Sequence, residues 1–148
     1  MLRIRKAETS ELAWINKCYD EVGFIHSSFD TEIIAIATID EQPAGLGRLV
    51  LVDNENLELG GMYVFGPFRR QGIAKKIVEF LLQQPLCVQK TIYCIPFEDL
   101  IEFYKQFGFM PCLNMQQAPK ELVEKLLWCK EEYTKPTSLL VLERLKPI

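Results

Sequence analysis

Histidine is almost absent from this chain: His26 is the only one among 148 residues. None of the five cysteines (Cys18, Cys87, Cys94, Cys112, Cys129) stands in a CxxC pair. Zinc-ligand spacing is therefore missing, and no metal site is expected. The cysteines read as reduced, mostly buried thiols of a cytoplasmic protein, with Cys87, Cys94 and Cys112 in apolar runs that suit a core. No hydrophobic run approaches the ~18 residues that read as a membrane span. The charged start, Met1-Leu-Arg-Ile-Arg-Lys6, carries no apolar stretch of signal-peptide length. Excess positive charge is lacking as well. The formal net charge of −3 argues against nucleic-acid binding and is compatible with a small cationic partner.

What is present is ordinary for a soluble globular protein: 49% hydrophobic and 25% charged residues. The length reads as one domain, residues 1–148, able to bury a core without disulfide or metal staples. Leu2 and Ile4 alternate with Arg3 and Arg5 as in a half-buried strand. Thr9 or Ser10 can cap a helix whose face carries Leu12, Ile15, Tyr19 and Val22, with Gly23 as its stop. Phe24 to Asp30 reads as a loop. Glu32 to Asp40 and Ala44 to Val52 form a hairpin turned at Asp40-Glu-Gln-Pro43. A further strand, Leu57 to Phe65, follows the turn Asp53-Asn-Glu-Asn56. The second half alternates: helix from about Gln71 to Leu82, strand Cys87 to Ile95, helix Glu98 to Phe107 stopped by Gly108, and strand Phe109 to Leu113. A helix starting at Pro119 carries Leu122, Val123, Leu126 and Leu127, and Ser138 to Leu145 closes with a strand. The class is α/β with a mixed sheet, antiparallel first and strand-helix-strand later.

The junction Val64-Phe-Gly-Pro-Phe-Arg-Arg-Gln-Gly-Ile-Ala74 links a strand to a helix. A helix N-terminus exposes unpaired backbone N–H groups and about half a positive charge. Arg69, Arg70 and Gly72 stand at that point, so the loop suits a pyrophosphate. It is not a Walker loop, because no Gly-Lys-Ser/Thr follows. It is not a dinucleotide fingerprint either, because GxGxxG is missing and Gly45-Leu-Gly47 lies inside a strand.

Arg69-x-x-Gly72-x-Ala74, preceded by a strand ending Met62-Tyr-Val64, resembles the Arg/Gln-x-x-Gly-x-Gly/Ala signature of the GNAT superfamily of acyl-CoA-dependent N-acyltransferases. Downstream, Phe103-Tyr104-Lys-Gln-Phe-Gly108-Phe109 is similar to that family's Phe-Tyr-x-x-x-Gly-Phe segment. The order of elements matches over nearly the whole chain. The resemblance implies a mixed, mostly antiparallel sheet flanked by helices, with a splayed strand pair that binds acetyl-CoA. It implies that Arg69, Arg70, Gln71, Gly72, Ile73 and Ala74 cradle the pyrophosphate of the coenzyme. It also implies that Met62, Tyr63 and Val64 pair with the pantetheine arm. Two positions depart from the family pattern on the pantetheine side: Phe97 stands for the usual Asn, and Leu100 for the usual Ala.

Acyl transfer needs a neutral amine. An amine of pKa ~10.4 is neutral in roughly one molecule of two thousand at pH 7, a cost of about 4.6 kcal/mol. A general base is worth ~10²–10⁴-fold. The resemblance implies Glu58, six residues before Val64, as that base, with His26 as the rival in a loop that borders the acceptor site in this family. Tyr104 matches the family's tyrosine that returns a proton to the leaving thiolate. A backbone N–H near Val64 polarises the thioester carbonyl. Gly60-Gly61 is unusual inside a strand and is expected to make room for acceptor or acyl group, while Phe24-Ile-His-Ser-Ser-Phe29 lines the acceptor side with His26 and Phe29.

The expected function is transfer of acetyl from acetyl-CoA to a primary amine of a small molecule by direct transfer, because no cysteine has a visible activating partner. A protein lysine or N-terminus as acceptor, or a non-catalytic acyl-CoA sensor, are the alternatives. The oligomeric state stays open between monomer and homodimer.

Overall fold

A computed structural model describes residues 1–143. Its elements are β1 (Leu2–Lys6), α1 (Leu12–Val22), β2 (Glu32–Ile39), β3 (Gln42–Leu51), β4 (Asn56–Val64), α2 (Ile73–Leu82), β5 (Thr91–Cys94), α3 (Ile101–Lys105), β6 (Met110–Pro111), α4 (Lys120–Glu132) and β7 (Leu140–Leu142). Two compact units divide the chain: Met1–Val50 with Gly60–Pro85, and Leu51–Leu59 with Leu86–Ile148. The first part of β4 belongs to the second unit and its last part to the first.

In the first unit the hydrogen-bonded neighbours run β1-β2-β3-β4. The β1–β2 and β2–β3 ladders are antiparallel. The hairpin turn is tighter than the sequence indicates. Ile39 pairs with Gln42, so only Asp40 and Glu41 make the turn, at φ 48° and 70°. Two residues at positive φ match the right-handed twist of the flanking strands, a task usually given to Asn-Gly. The core joins Ile15, Cys18 and Tyr19 of α1 to Ile34 and Ile36 of β2 and Leu46 of β3. Ile73, Ile77, Val78 and Leu81 form the buried face of α2. A Cβ at Gly47 would lie 2.5 Å from Ile77 Cγ2 and from Met62 Cε. Gly45-Leu-Gly47 therefore serves close packing of α2 on β3.

α1 opens differently from expectation. A single 3-10 turn, Thr9–Glu11, precedes it, and the Glu8 N–H donates to the Glu11 carboxylate at 2.9 Å in place of a Thr9 or Ser10 cap. Gly23 ends the helix in the left-handed conformation, φ 72°.

In the second unit the order is β4-β5-β7-β6. The β4–β5 ladder is parallel and its pairs are Asn56↔Thr91, Leu57↔Ile92 and Glu58↔Tyr93. The β5–β7 and β6–β7 ladders are antiparallel. Tyr93, Ala118, Leu122, Leu126 and Leu139 make the core. The expected strand from Cys87 shortens to Thr91–Cys94, because Pro85–Cys87 turns as a 3-10 helix and Gln89 takes φ 61°. The expected helix from Glu98 begins as a 3-10 turn, Glu98–Leu100, and only Ile101–Lys105 is α-helical. β6 keeps two residues of its expected five, Met110 and Pro111, and one further backbone bond follows it, from the Cys112 N–H to the Leu139 carbonyl at 2.9 Å. The closing strand is Leu140–Leu142, and residues 144 and 145 of its expected range lie outside the described residues. The result is the mixed, mostly antiparallel α/β class that the sequence indicates.

Candidate functional site

β4 carries most of the groups of interest. Within the first unit the strand distorts at Gly61, which takes φ 61°. The Tyr19 hydroxyl of α1 donates to the Gly61 carbonyl at 2.8 Å. Burial raises the Tyr19 phenol well above its ordinary range, so it stays a neutral donor. The Arg48 guanidinium lies over the Tyr19 ring at 4.5 Å. It donates to the Ile25 carbonyl at 2.9 Å and to the Ser27 hydroxyl. Asn16 holds the backbone of Ser27 from both sides, and the Ser28 N–H donates to Glu32. The loop that carries His26 and Phe29 is thus tied to β3, α1 and the start of β2.

This geometry corrects one expectation. A Cβ at Gly61 would lie 2.7 Å from Tyr19 Oη and 2.8 Å from Arg48 Nε. The room that Gly61 leaves is filled by the chain's own side chains. His26 is exposed and its Nε2 sits 2.6 Å from Asp20 Oδ1. Phe29 is partly buried against the core of the first unit, as is Phe24.

Beyond Gly61, the Tyr63 hydroxyl donates to Glu21 at 3.0 Å. Burial raises that phenol, and the Glu21 carboxylate adds to the rise. Gly66–Phe68 forms a 3-10 turn with Pro67 in it. The Arg69 Nε–H donates back to the Val64 carbonyl at 3.3 Å, fastening the loop to the strand end. Arg70 and Gly72 both sit in the left-handed region, φ 66° and 75°. α2 then starts at Ile73 with no side-chain cap. Its first N–H groups lack intrahelical partners, so they point forward from the loop. A Cβ at Gly72 would meet nothing within 4 Å, so glycine is needed there for backbone conformation and the space beside it is open. Gln71 is exposed, Ile73 is buried and Ala74 is partly buried.

In the second unit Glu58 is 5% exposed. The Lys125 ammonium on α4 donates to Oε1 at 2.9 Å and to Oε2 at 2.8 Å. The Lys125 side chain keeps 29% of its exposure. Burial pushes the Cys94 thiol up, and the charge of Glu58 pushes it further. Tyr104, 5% exposed, packs edge-on against Phe103 and Phe109. Burial, then the nearby Cys94, raises the Tyr104 phenol far above its usual value. Phe97 is packed edge-on against Tyr133, with the Lys135 ammonium 5.7 Å from its ring centre.

A family model described as the acetyltransferase (GNAT) family matches residues 2–109. The chain belongs to the GNAT acetyltransferase family. No curated protein sequence matches it. Solved structures share the GNAT fold. Rv2747 from Mycobacterium tuberculosis, in complex with CoA, is 19% identical with TM-score 0.73, covering 97% of this chain and 99% of that one. The ribosomal-protein-S18-alanine N-acetyltransferase from Escherichia coli is 16% identical with TM-score 0.71, covering 98% and 96%. A GNAT family acetyltransferase from Elizabethkingia anophelis with acetyl-CoA bound is 15% identical with TM-score 0.65, covering 97% and 98%.

Two residues of this GNAT chain escaped the sequence expectations. Arg48 is a charge inside the buried run Ala44–Leu49. Lys125 falls on the buried stripe of α4, between Leu122, Leu126 and Cys129. A charge on an apolar face is the signal that finds both, since such a charge has to be paired. Lys125 also lies past the residues that the family model matches. Among the described residues no helix is long and apolar enough to cross a membrane.

Proposed function

We propose that this GNAT acetyltransferase moves the acetyl group of acetyl-CoA to a primary amine of a small molecule, by direct transfer. The observation that carries the reading is the start of α2. It is an uncapped helix N-terminus behind left-handed Arg70 and Gly72, with open space beside Gly72. Backbone N–H groups from Arg70 to Ala74, with Arg69 and Gln71 beside them, fit the pyrophosphate of the donor. The backbone of Met62, Tyr63 and Val64 holds the pantetheine arm, and an N–H near Val64 polarises the carbonyl. The donor supplies an activated acetyl group as a thioester.

Glu58 takes a proton from the acceptor ammonium, and Tyr104 donates one to the departing thiolate. Burial makes the Tyr104 phenol a weaker acid, so its proton moves only as negative charge develops on the leaving sulfur. Gly60 and the loop with His26 and Phe29 border the acceptor. The net charge of −3 favours a cationic small molecule. The reading places the enzyme in the cytoplasm, with its free cysteines as reduced thiols.

Calorimetric titration with acetyl-CoA and with free coenzyme A, followed by thiol release over a panel of amines, tests this. Micromolar binding with release on a small amine is expected. Gly72→Val should weaken coenzyme A binding first, since a β-branched residue resists positive φ. Normal binding by that variant would remove the loop assignment. Release on peptides alone would make the acceptor a protein.

A further inference from the structure

A general base has to stand within hydrogen-bond reach of the nitrogen it deprotonates. In this chain a nitrogen already stands there. Lys125 Nζ lies 2.9 Å and 2.8 Å from the two Glu58 oxygens. The other lysine pairs among the described residues are looser and more exposed. Lys76 reaches Glu79 at 4.0 Å, Lys105 reaches Glu102 at 3.5 Å, Lys120 reaches Glu124 at 3.9 Å, and Lys135 reaches Asp99 at 3.5 Å. The Glu58 side chain is 7% exposed, whereas the carboxylates of those other pairs are at least 38% exposed. A primary amine held by both oxygens of the proposed base occupies the place that an external acceptor needs.

We propose that Lys125 is itself an acetylation site, modified by the enzyme that carries it. The inference rests on the proposed roles of Glu58 and acetyl-CoA. In the step, the Lys125 ammonium passes one proton to Glu58, which releases it to solvent. The freed lone pair forms a C–N bond with the thioester carbonyl carbon, and the C–S bond breaks. The second nitrogen proton is lost as the amide forms, and the thiolate gains a proton to leave as the thiol. Lysine ammonium and acetyl-CoA thus give acetyl-lysine, coenzyme A and one proton, with no other reactant. The product amide is neutral, so the modification also removes the cation from Glu58 and leaves its oxygens open to an external ammonium.

The test uses the full chain incubated with acetyl-CoA in amine-free buffer. Proteolysis and mass spectrometry then follow acetylation lysine by lysine, while calorimetry measures acetyl-CoA binding separately. Lys125 is expected to be modified at least ~10²-fold faster than exposed Lys75 and Lys76, the advantage of a positioned base. Glu58→Gln should erase that preference, and Lys125→Arg should leave position 125 unmodified. The comparison among lysines of the unaltered protein stands even if a variant folds poorly. If acetyl-CoA binds and Lys125 reacts no faster than Lys75 and Lys76, the site is wrong while the enzyme assignment survives. If acetyl-CoA does not bind, the donor assignment falls and self-acetylation falls with it.

Discussion

Gly61→Ala probes the distortion of β4 directly. The new Cβ would lie 2.7 Å from Tyr19 Oη, 2.8 Å from Arg48 Nε and 3.0 Å from Arg48 Cγ. The position is at φ 61°, which costs an L-residue about 1–2 kcal/mol. Losing the hydrogen bond from Tyr19 to the Gly61 carbonyl costs about 1 kcal/mol. Moving Arg48 off the Tyr19 ring costs up to another ~1 kcal/mol. The total is about 2–4 kcal/mol, a large share of the ~5–15 kcal/mol that holds a domain together. Gly72→Ala is the control. It shares the positive φ, 75°, but meets no atom, so it should cost only about 1–2 kcal/mol. Urea denaturation gives both values, provided that the slope m is unchanged. Adding Tyr19→Phe removes the nearest clashing atom, so the Tyr19→Phe/Gly61→Ala pair should fall short of additivity by about 1 kcal/mol. If Gly61→Ala costs no more than Gly72→Ala, the clamp of Tyr19 and Arg48 does not hold the strand, and the reasoning fails.

Tyr104→Phe should lower turnover at least ~10²-fold with little change in acetyl-CoA affinity, and unchanged turnover would remove its acid role. Lys125→Met leaves the buried Glu58 carboxylate without its cation and should cost about 3 kcal/mol in denaturant, while Lys125→Arg recovers part of the loss. A cost below ~1 kcal/mol would show that the pair behaves as a solvated one. The hydrogen-bonded Arg5 guanidinium pulls the Glu11 carboxyl down to about 2. That stabilisation is complete above the ordinary value of 4.5 and is lost as the pH falls through about 2. Glu11→Gln should therefore cost less than ~1 kcal/mol at neutral pH, and its gap to the parent protein should close over that acid range in pH-dependent melts.

The elements that the sequence places well are those with long, regular patterns. α1 and α2 carry apolar residues at helical spacing, and β2 to β4 run for eight residues or more. The misplaced ends have local causes. β5 loses its first residues to the Pro85 turn and to positive φ at Gln89. The β2–β3 turn carries no Asn or Gly at its centre, so its tightness has no compositional mark. Gly60-Gly61 marks a disturbance in β4, but composition alone does not tell open room from room filled by Tyr19 and Arg48. That distinction depends on residues far apart in sequence.

The same limit explains Glu58 and Lys125. The family resemblance points to Glu58, six residues before Val64 on the strand before the loop. Its partner is sixty-seven positions away, on a helix past the matched residues 2–109. The family pattern therefore describes the carboxylate and is silent about what sits on it. A solvated carboxylate would meet any amine that arrives. A buried one, with both oxygens held by Lys125, exchanges one ammonium for another. An acceptor that carries positive charge can replace Lys125 without leaving Glu58 unpaired, whereas a neutral acceptor cannot, and an unpaired buried carboxylate costs several kcal/mol. On the proposed role of Glu58 as the base, the pair would thus favour cationic amines before any contact with the rest of the acceptor is made.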